Sequence, residues 1–131
     1  MSNTSKARRS LEEILASTSD VLFPAELGKA PVTIHSVDCD GDTPLHVMVW
    51  RDDVAAVRTL VESGVNVNAV GDMGETPLHV AVGKESIGTI EALLSAGARS
   101  DVRSEFDETA FERAMKKGGK IAALFRQARG A

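Results

Sequence analysis

Gly41-Asp42-Thr43-Pro44-Leu45-His46 returns as Gly74-Glu75-Thr76-Pro77-Leu78-His79, 33 residues further along the chain. Leu60-Val61-Glu62-Ser63-Gly64 returns in the same register as Leu93-Leu94-Ser95-Ala96-Gly97. A degraded third copy of the first phrase begins at Asp107-Glu108-Thr109-Ala110-Phe111. Phrases from opposite ends of one unit, holding one spacing, define a repeat. A repeat of this size predicts a solenoid, a stack that presents a surface rather than enclosing a pocket.

Each complete unit reads as a turn, a short helix, a tight connection, a second helix and a glycine stop. Asp40-Gly41-Asp42 is a turn signal, and Thr43 can cap the helix after it. Pro44 then takes the first helical position, where its missing N–H leaves no bond unmade and its fixed φ suits the helix. Leu45, Met48 and Val49 supply an inward face. After a break near Arg51 to Asp53, the residues Val54, Val57, Leu60 and Val61 recur at helical spacing, and Gly64 stands where a left-handed terminal residue is expected. The second unit repeats the scheme with Thr76, Pro77, Leu78, Ala81 and Val82, then Ile87, Ile90, Leu93 and Leu94, and stops at Gly97. Neither helix of a pair can bury its apolar face alone, so the array as a whole is the expected folding unit.

The third unit departs from the pattern. Ala110 replaces the proline, Glu112 stands where the other copies have histidine, and the segment between helices reads as two residues shorter. Met115, Leu124 and Phe125 remain apolar, whereas Lys116, Lys117, Lys120, Arg126 and Arg129 form a basic end, the two-sided composition of a terminal cap. Gly118-Gly119-Lys120 reads as a tight interhelical connection. It lacks the length and the terminal Ser or Thr of a phosphate-binding loop. At the other end, Ser10 to Ala16 predicts a helix with Leu11, Ile14 and Leu15 on one side. Val21-Leu22-Phe23-Pro24 and Val32-Thr33-Ile34, broken by Gly28 and Pro31, predict a nonstandard cap rather than another full repeat or an independent domain.

Composition narrows the function. The 131 residues are 43% hydrophobic but only 4% aromatic, so Val, Leu, Ile and Ala must build a core of thin stacked layers. A net charge of -4 argues against nonspecific binding to nucleic acid or anionic membranes, although a local basic patch is compatible with it. One cysteine, Cys39, excludes an internal disulfide framework. No apolar run reaches the roughly 20 residues that span a bilayer, and Met1 to Ser10 does not read as a secretory signal. The expected location is cytoplasmic.

Gly-x-Thr-Pro-Leu-His, followed by two short helices and Gly64-Val65 or Gly97-Ala98, resembles the ankyrin repeat. Val65-Asn66-Val67-Asn68-Ala69 is similar to the family's link toward the next finger-like turn. The likeness is strong from Asp38 to Val102 and weaker through Phe125. It implies an all-α ankyrin solenoid divided into a cap (1–37), two repeats (38–70 and 71–103) and a degenerate capping repeat (104–131). It also implies that Thr43 with His46, and Thr76 with His79, tie turn to helix by hydrogen bonds, a structural role that outweighs metal binding because no compact ligand cluster accompanies them.

The same resemblance implies recognition of a protein through the finger tips and the concave face of the first helices. Those positions are Cys39, Asp40, Asp42, Trp50 and Arg51 in the first layer, Asp72, Met73, Glu75 and Lys84 in the second, and Glu105, Phe106, Glu108, Lys116 and Lys117 in the third. Trp50 is the leading anchor, with packing under the cap or against Met73 as the competing structural reading. Met73 and Phe106 could likewise pack on neighbouring fingers. The acidic ridge could steer a basic partner or serve only as solvated turn residues.

The expected activity is noncatalytic recognition of a protein of unknown identity by a monomer or weak homo-oligomer, with no cofactor, no metal, no nucleic acid and no membrane. A small bacterial inhibitor, immunity or accessory protein is one setting, and a scaffold or homo-oligomer component is the structural alternative. Catalysis would have to rest on Asp38, Asp40 and Asp42 or on Cys39 with His35, and nothing in their spacing fixes such a geometry. Nucleic-acid binding would have to rest on the basic C-terminal end.

Overall fold

The structure is a computed structural model, and it describes residues 9–130, with side chains described through residue 128. Eight helices carry the described fold: α1 (Leu11–Ala16), α2 (Ser19–Leu22), α3 (Pro44–Trp50), α4 (Val54–Glu62), α5 (Pro77–Gly83), α6 (Ile87–Ser95), α7 (Ala110–Lys117) and α8 (Gly119–Gly130). No strand forms among the described residues, although an isolated antiparallel bridge joins Arg103 to Thr109.

Helices α3, α5 and α7 stack side by side as an inner row, and α4, α6 and α8 stack behind them as an outer row. The apolar spacing dictates this. Leu45, Met48 and Val49 of α3, and Leu78, Ala81 and Val82 of α5, are fully buried. In the outer row Ala56, Val57 and Leu60 are equivalent to Ile90 and Leu93 with their polar neighbour Thr89, all likewise buried. Helices α4 and α6 end as expected at a left-handed glycine, Gly64 (φ 94°) and Gly97 (φ 88°). The N–H groups just beyond reach back across the last turn, Val65 to the Leu60 carbonyl at 3.3 Å and Ala98 to the Leu93 carbonyl at 3.0 Å.

The third layer corrects one expectation. Ile121, Ala122 and Phe125 fill the places of Thr89, Ile90 and Leu93, so the connection between helices is one residue shorter, not two. Gly118 and Gly119, at φ 70° and 56°, absorb the tighter turn. The N-terminal helix forms where expected, opened by Ser10 and Glu13 in a reciprocal capping box. It buries Ile14 and Leu15 against α4, so α1 extends the outer row by one helix. The cap is therefore a continuation of the stack on its outer side. The basic start of the chain, up to residue 8, and the Arg129 side chain lie outside the described residues.

Candidate functional site

The inner row and its finger turns are positioned by one repeated device. In α3 the Thr43 Oγ1 accepts from the His46 N–H, while the Thr43 N–H donates to His46 Nδ1 at 3.1 Å. Because Nδ1 accepts, the proton sits on Nε2, which donates to the Glu75 carbonyl of the next finger at 3.0 Å. His79 does the same, taking the Thr76 N–H at 3.1 Å and donating to the Glu108 carbonyl at 2.9 Å. Burial lowers the His46 pKa and keeps the ring neutral, as this pattern requires. Both imidazoles are thus committed to structure.

The fingers also bond directly to one another. Asp42 Oδ1 accepts from the Asp72 N–H at 3.0 Å, and the Met73 carbonyl accepts from the Glu105 N–H at 2.9 Å. Glycine is required where fingers meet. Gly41 and Gly74 are left-handed (φ 90° and 71°), and an added Cβ would come within 2.6 Å of the Val70 carbonyl oxygen or 2.9 Å of the Glu105 nitrogen.

Several of the predicted contact residues turn out to be occupied inside the molecule. Glu75 and Glu108 converge on Arg113, whose guanidinium holds Glu75 Oε2 at 2.7 Å, Glu108 Oε1 at 2.9 Å and the His79 carbonyl at 3.0 Å. Lys116 adds a second bond to Glu108 at 2.9 Å, and Lys117 pairs with Glu85 at 3.1 Å. Hydrogen bonds from Lys116 and Arg113 hold the Glu108 carboxyl below its usual range. Arg51 braces the N-terminal segment through the Ser17 carbonyl at 3.2 Å. Lys84 is exposed and belongs to no ion pair among the described residues.

The apolar candidates are open. Trp50 is 59% exposed, Met73 49% and Phe106 64%. That exposure decides against Trp50 being packed beneath the cap. Its indole instead borders a hollow lined by Val21, Leu22, Val47, Asp38, Asp42 and His46. Cys39, Asp40, Asp72 and Glu105 are exposed at the finger tips. The Asp40 carboxyl is raised above its usual range, chiefly by the nearby Asp72 charge, with desolvation and then Asp38 and Asp42 adding to it. So the acidic ridge is divided: among the described residues Asp38, Asp40, Asp42 and Asp72 have no counter-charge, while α7 supplies Arg113 and Lys116 to Glu75 and Glu108.

The sequence reading missed Arg113. The available signal was its register: Val47 and Val80 hold the equivalent places in the other inner helices. For the alternative chemistries, no hydrogen bond joins His35 to Cys39 among the described residues, where the His35 N–H donates to Thr33. The same residues contain no group of three or more His, Cys, Asp or Glu arranged to hold a metal ion. Nor do they include a helix long and apolar enough to cross a membrane.

Paired helices stacked in two rows, with turns projecting from one edge, define a helical repeat protein. The family profile described as ankyrin repeats (3 copies) matches residues 14–124, and the chain belongs to the ankyrin repeat family. None of the curated proteins compared with it matches the chain. Ankyrin repeats are generally protein–protein interaction modules and typically noncatalytic.

Proposed function

We infer that this protein recognises another protein noncatalytically, through the concave face of α3, α5 and α7 together with the finger tips. The observation that carries this reading is Trp50, a large aromatic left 59% exposed on a stack whose core is otherwise well filled. Exposed tryptophan beside polar contacts is the composition of an interface anchor, because its burial on binding removes much apolar surface from water. Met73 and Phe106 extend the apolar contact along the fingers. Cys39, Asp40, Asp72, Glu105 and Lys84 supply its polar rim, and Arg51, Asp42, Glu75, Glu108, Lys116 and Lys117 hold that rim in shape. The mechanism is occlusion or tethering by a preorganised surface, in the cytoplasm, as an inhibitor, immunity or accessory protein.

The test is purification of the native protein from its host with partners preserved, and then the mass of the complex. A stoichiometric protein complex lost in Trp50→Ala, with the variant folded, is the expected result. A complex of unchanged mass and stability in that variant contradicts the concave-face reading.

A further inference from the structure

The hollow beside Trp50 indicates which side chain a protein partner would place there, an assignment that rests on recognition through the concave face. It is a small recess with room for about one water molecule, between α2 and α3 at the N-terminal end of the stack. One part of its wall is apolar: Val21 (45% exposed), the buried Leu22 and Val47, and the indole of Trp50. The other part is the first finger, which contributes Asp38 and Asp42. We propose that an arginine side chain of the protein partner lies across the mouth of this recess, with its methylenes on Val21, its guanidinium face on Trp50 and its N–H groups on Asp38 and Asp42.

Charge selects the occupant. Asp38 Oδ1 accepts the N–H groups of Asp40 and Asp42, both at 2.9 Å, and Asp42 Oδ1 accepts the Asp72 N–H at 3.0 Å. The second oxygen of each carboxylate takes no hydrogen bond from the described residues. Nor does any basic side chain among those residues pair with Asp38, Asp40, Asp42 or Asp72, whereas Glu75 and Glu108 have Arg113. His46, at the base, has both ring nitrogens engaged and adds no positive charge.

A neutral side chain lying here would strip water from two carboxylates without replacing its hydrogen bonds. A phosphate or carboxylate would be repelled. An ammonium ion satisfies the charge, but its compact, strongly hydrated head stacks poorly on an indole. The planar guanidinium combines stacking on an aromatic face with several N–H donors in one plane.

Trp50 is the only tryptophan in the chain, so intrinsic emission reports on the hollow. The full chain would be titrated at low ionic strength with acetyl-Gly-Arg-Gly-amide and with its citrulline counterpart, which has nearly the same shape but no charge. Saturable change with the arginine probe is expected, with binding about tenfold weaker for citrulline, or about 1.4 kcal/mol. The Asp38→Asn, Asp42→Asn double variant keeps both accepting Oδ1 atoms and loses the charge, and it should weaken arginine binding by a similar factor. Equal binding of the two probes to the unaltered protein overturns the proposal without recourse to any variant. So does the absence of saturable binding, or unchanged affinity in the folded double variant.

The native complex separates the two levels of inference. Loss of the complex in Trp50→Ala together with its full retention in the double variant overturns the arginine assignment and leaves protein recognition standing. Retention in both overturns both.

Discussion

The first two layers and the third use the same cap for different ends. In α3, α5 and α7 a threonine hydroxyl accepts from the third helical N–H, and that residue's side chain returns to the threonine N–H. In the first two layers the returning residue is histidine, whose second nitrogen continues to the next finger's carbonyl at 3.0 or 2.9 Å. In the third it is Glu112, which closes the box at 3.1 Å and turns its remaining charge to Arg103 at 3.3 Å. Carboxylate has no proton to pass forward, and among the described residues no further layer needs one. The glycines obey the same logic. Gly41 and Gly74 are pressed by the next finger, whereas Asp107 occupies the equivalent left-handed position (φ 58°) and, among the described residues, is followed by no further finger. At these two positions the third copy lacks the groups that meet a following layer in the first two, while its helix cap is kept.

Substitutions at equivalent positions should therefore differ in cost, and urea unfolding can rank them. His79→Ala leaves the buried Thr76 N–H unmatched, takes one of two donors from the Glu108 carbonyl (Ser104 N–H remains) and opens a cavity, with an expected loss of about 3 kcal/mol. Glu112→Ala removes one exposed box partner, for about 0.5–1 kcal/mol. Equal losses would break the comparison. Next comes Gly74→Ala, which forces a left-handed alanine against the Glu105 backbone and should cost about 2 kcal/mol, against about 0.5 kcal/mol or less for Asp107→Ala.

Arg113→Met removes the charge that joins the second and third layers. With these side chains 17% exposed, leaving Glu75 and Glu108 side by side should cost about 1–2 kcal/mol. Raising the salt concentration should narrow the difference from the parent protein, since it screens the repulsion that remains.

The smallest effect is a shallow response to acid, in two windows. Burial lowers the folded pKa of His46 below its ordinary 6.5, so its contribution is complete above that pH and declines as pH falls toward the folded value. The backbone N–H of Thr109, and secondarily Arg103, lowers Glu112 below its ordinary 4.5. Glu112 contributes fully above 4.5 and loses that contribution as pH drops through its folded value. Stability measured against pH should show both declines in the parent and only the lower one in His46→Gln.

Much of this was legible in sequence because it is local or periodic. The Thr-Pro start, the glycine stop and the 33-residue register placed the helices and their buried faces. Leu45, Val57 and Leu60 are buried as helical spacing requires. Long-range contacts were less accessible. Nothing near Asp42 indicates that its carboxylate bonds to the finger 30 residues away, and Glu75 reads as a partner contact until Arg113 is found on it, 38 residues further on. The one-residue slip in α8 was hidden because Ala, Ile and Phe fit two neighbouring registers nearly as well until burial chooses between them. Exposure of Trp50 was likewise undecidable from spacing, since it ends α3 just beyond the buried run.

The central claim is that Trp50 stands open until a protein covers it. Labelling the single tryptophan as fluorotryptophan and recording fluorine NMR, with and without the partner purified from the host, tests this directly. The account predicts one resonance with a solvent isotope shift in the isolated protein, and displacement of that resonance with loss of the isotope shift in the complex. A resonance already shielded in the isolated protein, or one unmoved when the partner binds, would contradict it.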